Sequence, residues 1–294
     1  MADTTVLVED LYFPEGPRWR DSSLYFSDFY GHRVLRTDLD GNLTTVCTVE
    51  QQPSGLGWLP DGSMLIVSMI DRKVLRLDTD HQLHEYADLS HIATFHCNDM
   101  LVDDAGRAYV GNFGFDLDEF MDTYGVAGLL GEPGPTATSL AMILPDQSVE
   151  LAMSDLVFPN GVVLTRDRQT MIIAETLAMR LTAFDVDERG RLSNRRIWAD
   201  LSAQMMPPDG IAIDGNDHVW IANALAPQAA LIAEGGEVVQ TIETSQTCFA
   251  VALGGPEGTT LACCTAADSH HVAATASATG KIEIATVDCP AQPR

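Results

Sequence analysis

Six times along this chain a short residue pair opens a strand-like apolar run: Glu15-Gly16, Ser54-Gly55, Asn98-Asp99, Asn160-Gly161, Asp209-Gly210 and Phe249-Ala250. The steps between successive pairs are 39, 44, 62, 49 and 40 residues. That is the spacing of propeller blades and not of helices or βαβ units. The second repeat shows the internal pattern most clearly: GLGWL, the turn PDG, SMLIVSM, the break IDRK, VLRLD and HQLHEYADL, four short strands in one period. Long amphipathic helical stretches are missing, which argues against a doubly wound sheet or a barrel of alternating strands and helices. The repeat therefore predicts an all-β, six-bladed β-propeller occupying residues 1–294 as a single domain. A propeller must close its ring, and pairing TTVLVED (4–10) onto KIEIATVD (281–288) would remove two sheet edges at once.

The longest step, between Asn98 and Asn160, contains FDLDEFMDTYGVAGLLGEPGPTATS at 115–139. It lacks strand alternation and is rich in Gly, Pro and acidic residues, so it reads as a loop that can include a helical turn. Residues 113–139 are expected to project beyond their blade as a lid over the central channel.

Because 17 Lys and Arg face 42 Asp and Glu, the formal net charge is −25, a surface that repels nucleic acid and anionic membranes. MADTTVLVED lacks the basic segment and apolar run of a secretory signal, and no eighteen apolar residues run together, so a cytoplasmic protein is expected. Cys47, Cys97, Cys248, Cys263, Cys264 and Cys289 show no CxxC pair or metal-ligand spacing and read as buried free thiols.

In a closed propeller the innermost strand of every blade faces one channel, so equivalent positions converge there however far apart they lie in sequence. Four of the six leading positions, Glu15, Asn98, Asn160 and Asp209, carry side-chain oxygen. Carboxylates supply charge and amides fill coordination positions without excess repulsion, which is what a hard divalent cation requires. One such ion is expected, Ca²⁺ foremost, with Zn²⁺, Mn²⁺ and Mg²⁺ as alternatives. His96 lies two residues before Asn98 and by strand alternation should share its face, whereas Cys97 should point away. Asn112 reads equally as a site residue or a turn residue. Phe29, Phe113, Phe115, Met69, Met205 and Met206 fall near the expected channel mouth, and the remaining histidines, His32, His81, His84, His91, His218, His270 and His271, read as surface or loop residues.

In order, FPEGP, the HCND element, FPNG and PPDG resemble the metal-binding motifs of the regucalcin/gluconolactonase family of senescence marker protein lactonases, from about Leu11 to Ala222. The resemblance implies a six-bladed propeller with one channel metal and hydrolysis of a small-molecule lactone. It further implies that Glu15, Asn160 and Asp209 ligate the metal, that Asn98 lies nearby and serves the site by binding substrate or a metal-bound water, and that Asp209 is the general base, with His96 as the alternative. Where sugar-lactone members commonly carry Arg two residues before the Asn, this chain has His96. The loss of that guanidinium fork points to small or apolar lactones over aldonolactones. Two other functions suit the same residues: phosphotriester hydrolysis on the same metal, and a non-catalytic propeller whose cation ties the blades together.

Overall fold

A computed structural model describes residues 3–292 as six four-stranded antiparallel sheets arranged around a channel. Five sheets use four consecutive strands each, and their innermost strands are Pro14–Arg20, Pro53–Trp58, Cys97–Val102, Pro159–Leu164 and Pro208–Ile213. The sixth is built from Cys248–Gly254, Thr260–Thr265 and Gly280–Thr286, with the N-terminal strand Thr5–Leu11 as its outer edge. In that closure Thr5 lies opposite Ile284 and Leu11 opposite Gly280. Each innermost strand touches the next and the sixth touches the first, so the ring is complete.

The apolar faces pack between blades, and Leu24, Phe26, Leu56, Ile66, Phe184 and Trp220 are among the fully buried side chains. The glycines of the repeated pairs exist for the same close approach. A Cβ on Gly55 would stand 2.4 Å from the Met100 backbone nitrogen of the next blade, and one on Gly161 2.4 Å from that of Ile211. Real side chains do not tolerate such contacts, so the second residue of the pair is set by blade spacing and only the first is free to carry chemistry.

The register breaks immediately after the leading position in all six innermost strands: the pairing shifts between Glu15 and Arg18, Pro53 and Leu56, Cys97 and Met100, Pro159 and Val162, Pro208 and Ile211, and Cys248 and Ala250. A bulge re-aims side chains that a regular strand would send alternately to either face. Five of the six leading residues, Glu15, Asn98, Asn160, Asp209 and Phe249, line one end of the channel.

The segment at 113–139 departs from the expected loop, because Leu117–Leu130 is an α-helix, here α1, kinked at Gly125 where φ is 61°. Asp116 caps it by accepting the Glu119 N–H at 3.0 Å, and Asp118 and Glu119 place negative charge in the first turn, where the helix dipole favours it. Phe120 and Tyr124, one turn apart, make a tilted ring contact at 5.0 Å. A second short helix, α2 (His271–Ala276), lies between the strands of the sixth blade. Among the described residues no helix is long and apolar enough to cross a membrane.

Candidate active site

A cavity of about 830 Å³ occupies the end of the channel at which the innermost strands begin. Its floor holds Glu15, Asn98, Asn160 and Asp209, all four buried. A hydrogen-bonded chain crosses four blades there: Ser54 Oγ donates to Asn98 Oδ1 at 3.2 Å, Asn98 Nδ2 to Asn160 Oδ1 at 2.9 Å, and Asn160 Nδ2 to Asp209 Oδ1. Thr176 Oγ1 accepts a second bond from Asn160 Nδ2 at 3.3 Å and donates to the Pro208 carbonyl at 2.8 Å, tying the fourth blade to the fifth. Both amides thus spend their N–H groups on neighbours, in a direction that ends at a carboxylate.

Glu15 stands apart from this chain and accepts only the N–H of Gly16, at 2.9 Å. Burial, reinforced by the negative charge of Asp209, raises its carboxyl well above the usual range. Burial also raises Asp209, with the charge of Asp99 adding to it and the Asn160 hydrogen bond opposing. The third carboxylate is answered differently: Arg18 donates to Asp99 Oδ1 at 2.7 Å and to the Met100 carbonyl at 2.6 Å. Arg18 lines a separate cavity of about 450 Å³ at the opposite end of the channel, so the Arg18–Asp99 pair lies between the two cavities. Among the described residues no cationic side chain hydrogen-bonds to Glu15 or Asp209. Two buried carboxylates facing one space in this way, with the charge of Arg18 acting on Glu15 only as the smallest contribution, are costly, and such groups are ordinarily paired or coordinate a metal.

His96 lines the same cavity as Asn98, although it precedes the strand that begins at Cys97. Its ring stacks on Phe95 at 4.1 Å and 21°, and no side chain among the described residues hydrogen-bonds to it. Burial lowers its pKa, with the charge of Asp116 opposing and that of Arg72 assisting, so the neutral imidazole prevails at pH 7. Cys97 packs into the core between blades instead.

Aromatic side chains form much of the wall: Phe13 contacts Phe249 at 4.8 Å and Phe29 at 5.5 Å, and Phe113 stacks on Phe158 at 4.6 Å and 6°. Phe29, Phe113, Met69 and Met205 line the cavity as expected, whereas Phe115 and Met206 lie outside its lining. Phe115 instead stands edge-on to Phe120 of α1, and Met206 packs against the core. Asn112 serves structure, accepting from the Gly114 N–H of the adjoining turn and from Thr138 Oγ1 of the neighbouring strand and donating to the Ser139 carbonyl there. His270 and His271, read from sequence as surface residues, line the mouth. Asp118 of α1 accepts the His271 N–H at 3.0 Å, and His270 Nε2 lies 3.7 Å from Asp122 Oδ1, so the helical insertions of the third and sixth blades meet across the mouth. All six cysteines are free; Cys47 and Cys289 are only partly buried, since the first lies on an outer strand and the second in the C-terminal segment.

Residues 13–267 match the SMP-30/gluconolactonase/LRE-like region. The chain belongs to that family. It is 27% identical over 263 residues to a pentonolactonase of Haloferax volcanii, a match covering 87% of this chain and 82% of that protein. With a regucalcin of Danio rerio it shares 26% identity over 219 residues, 71% of this chain and 66% of that protein. The solved structure of a luciferin-regenerating enzyme superposes with a TM-score of 0.81 at 19% identity, covering 99% of this chain and 97% of the other, and so shares the fold.

This SMP-30/gluconolactonase-like chain has a donor set that suits a divalent cation, because the unanswered charge of Glu15 and Asp209 and the amide oxygens beside them are all hard ligands. Among the described residues no three His, Cys, Asp or Glu side chains cluster to hold a metal. A set of two carboxylates and two amides has only two members of that kind.

Proposed function

We propose that the protein is a metal-dependent lactonase acting on small or apolar lactones. The observation that carries this reading is the pair of uncompensated carboxylates, with two amides, on the floor of a largely aromatic cavity in a chain of this family. Glu15, Asn160 and Asp209, with Asn98 beside them, would hold one divalent cation, Ca²⁺ suiting the oxygen-only set best, and it would supply Lewis-acid polarisation of the lactone carbonyl.

The chain's own groups account for the rest. Asp209, fixed by Asn160, retains one oxygen to orient the attacking water. His96, neutral and unpartnered, takes a proton as the water oxygen bonds to the carbonyl carbon, and returns it to the ring oxygen as the ring C–O bond breaks. Asp209 itself is the competing base, and the pH profile separates the two. The contact of α1 with α2 across the mouth supports a lid role for residues 113–139, which would keep bulk water from the reacting ester.

The decisive experiment is a lactone panel assayed with Ca²⁺, Mg²⁺, Mn²⁺ or Zn²⁺ restored to chelated protein. Turnover of at least one lactone that depends on added metal is expected; no turnover with any metal would overturn the assignment.

His96→Gln should lower kcat/KM by roughly 10²-fold, the scale of a lost acid–base group, and leave the melting temperature nearly unchanged. In the parent protein kcat/KM should fall on an acid limb below pH of about 6.5, because burial moves the imidazole pKa down from that ordinary value. The variant should lose that limb; an unaltered limb would transfer the proton to Asp209.

Among the described residues the cavity is lined by no Lys or Arg, while Asp116, Asp118, Glu119, Asp122 and Asp268 gather at its mouth. Sugar hydroxyls find no guanidinium fork, and anionic substrates meet repulsion. Unsubstituted and alkyl-substituted lactones should therefore exceed gluconolactone in kcat/KM by roughly 10-fold or more, and lactones bearing phosphate or carboxylate should be poorer still. A preference for gluconolactone in steady-state assays would refute the substrate assignment while leaving the lactonase reading intact.

A further inference from the structure

Two residues ahead of each leading position the chain builds a second tier above the floor. Phe13, Gln52, His96, Phe158 and Pro207 occupy it in the first five blades and line the cavity, whereas Thr247 of the sixth lies outside the lining. Three of the five are apolar. The polar exceptions, Gln52 and His96, stand on adjacent blades.

Gln52 is only 8% exposed, yet its carboxamide has no hydrogen-bond partner among the described residues. Neither is it sealed away in protein: the side-chain atoms that are both buried and unpartnered are Asp71 Oδ1, Arg76 Nε and Asp214 Oδ2. The surface that the amide retains therefore opens to the cavity. An amide that faces the cavity with no protein partner is free to hydrogen-bond whatever enters that space. Its backbone adds to the case. Gln52 adopts φ 63°, in the left-handed region that side chains rarely enter. Phe158 shares that conformation at φ 55°, so the turn belongs to the blade architecture, but a glycine would satisfy it with less strain. Gln52 thus carries a conformational cost that no hydrogen bond of its side chain recovers within the fold.

We infer that Gln52 is a substrate-binding residue that sets the orientation of the lactone. The inference rests on the lactonase reading above and names a further contact in the same site. The ester group of a lactone offers only acceptors, so Gln52 would contribute through Nε2–H while the aromatic wall holds the carbon ring. From neighbouring blades, Gln52 and His96 would then address the polar edge of the ring together. A cyclic amide of the same size presents both an acceptor and an N–H, and so can engage both ends of the Gln52 carboxamide.

Two variants and two readouts test this. Gln52→Met keeps the side-chain length and removes hydrogen bonding; KM for the best neutral lactone should rise roughly 10-fold with kcat less affected. Gln52→Gly should lower kcat/KM to a similar extent while raising the melting temperature, because it relieves the left-handed backbone. A structural role predicts the reverse, a lower melting temperature in both variants and an unchanged KM in the folded protein, and that result would overturn the inference. Calorimetric binding of δ-valerolactam, which is not a lactonase substrate, makes the test independent of turnover. If the parent binds the lactam and Gln52→Met binds it at least about 10-fold more weakly, Gln52 stands even where no lactone is hydrolysed. Lactone turnover and lactam affinity both unchanged in Gln52→Met would sink the Gln52 assignment alone. A parent protein that neither hydrolyses lactones nor binds the lactam would overturn both readings.

Discussion

Asp209→Asn is expected to abolish lactone turnover and, at the same time, to stabilise the metal-free fold. The activity loss should reach roughly 10³-fold or more, because one substitution removes half the negative charge available to a cation and the carboxylate that orients water. The gain in stability follows from the opposite sign of the same charge. Asp209 and Glu15 are buried together, and the only listener to Asp209 is the amide of Asn160. An isosteric amide removes the mutual repulsion while keeping an oxygen in reach of Asn160. An increase of roughly 2–4 °C in melting temperature corresponds to about 1 kcal/mol in a large domain, a modest release for a buried charge. Retained turnover in the variant would eliminate Asp209 from the site. A lowered melting temperature in chelator would show that the charge is satisfied in the native state, contrary to the arrangement seen here.

The floor of the site was legible in the sequence because a propeller converts a repeat into a location. Once Glu15, Asn98, Asn160 and Asp209 share a register, convergence follows from topology and needs no knowledge of side-chain contacts. The glycines after Glu15, Asn160 and Asp209 strengthen that reading, since they report strand-to-strand contact at the same depth in each blade. What the repeat does not encode, the sequence did not reveal. The insertion that forms α1 is not a blade strand, and its Gly and Pro content masked Leu117, Phe120, Met121 and Tyr124, which recur at helical spacing. His270 and His271 have no metal-ligand spacing, and only the fold brings their segment opposite α1. Gln52 shares the register of His96, two places before its leading residue, but Ser54 follows it and carries no ligand signal. Asn112, which the sequence left open between site and turn, spends its hydrogen bonds on the adjoining turn at Gly114 and on Thr138 and Ser139 of the neighbouring strand.

Metal addition should stabilise the protein strongly, and by an amount that grows as pH rises. In the metal-free protein the pKa values of Glu15 and Asp209 are raised above their unfolded values, so the native state holds protons more tightly than the unfolded chain. Their contribution to stability is therefore fully present below the ordinary carboxylate pKa of about 4 and is lost as pH rises through the raised native values. A divalent cation competes for the same oxygens. At acid pH it must displace protons, whereas as pH rises more of the ligand carboxylates are charged and it relieves their repulsion, so its effect grows with pH. Other groups titrate with the opposite sign. Burial works to raise Glu175 and Glu283, but hydrogen bonds from Arg180 and Thr182 to the first, and from Thr4 and Ser245 to the second, hold both below their ordinary value, and their stabilisation is lost as pH falls. Those contributions are common to metal-free and metal-loaded samples and cancel in the difference between them. The measurement is thus the melting temperature with chelator and with each of Ca²⁺, Mg²⁺, Mn²⁺ and Zn²⁺ at pH 5 and pH 8. A cation present at about 100 times its dissociation constant contributes about 2.7 kcal/mol, which is readily resolved. The increment at pH 8 should exceed that at pH 5 and should vanish in Asp209→Asn, whereas an increment independent of pH, or one that survives the substitution, would place the cation elsewhere in the molecule.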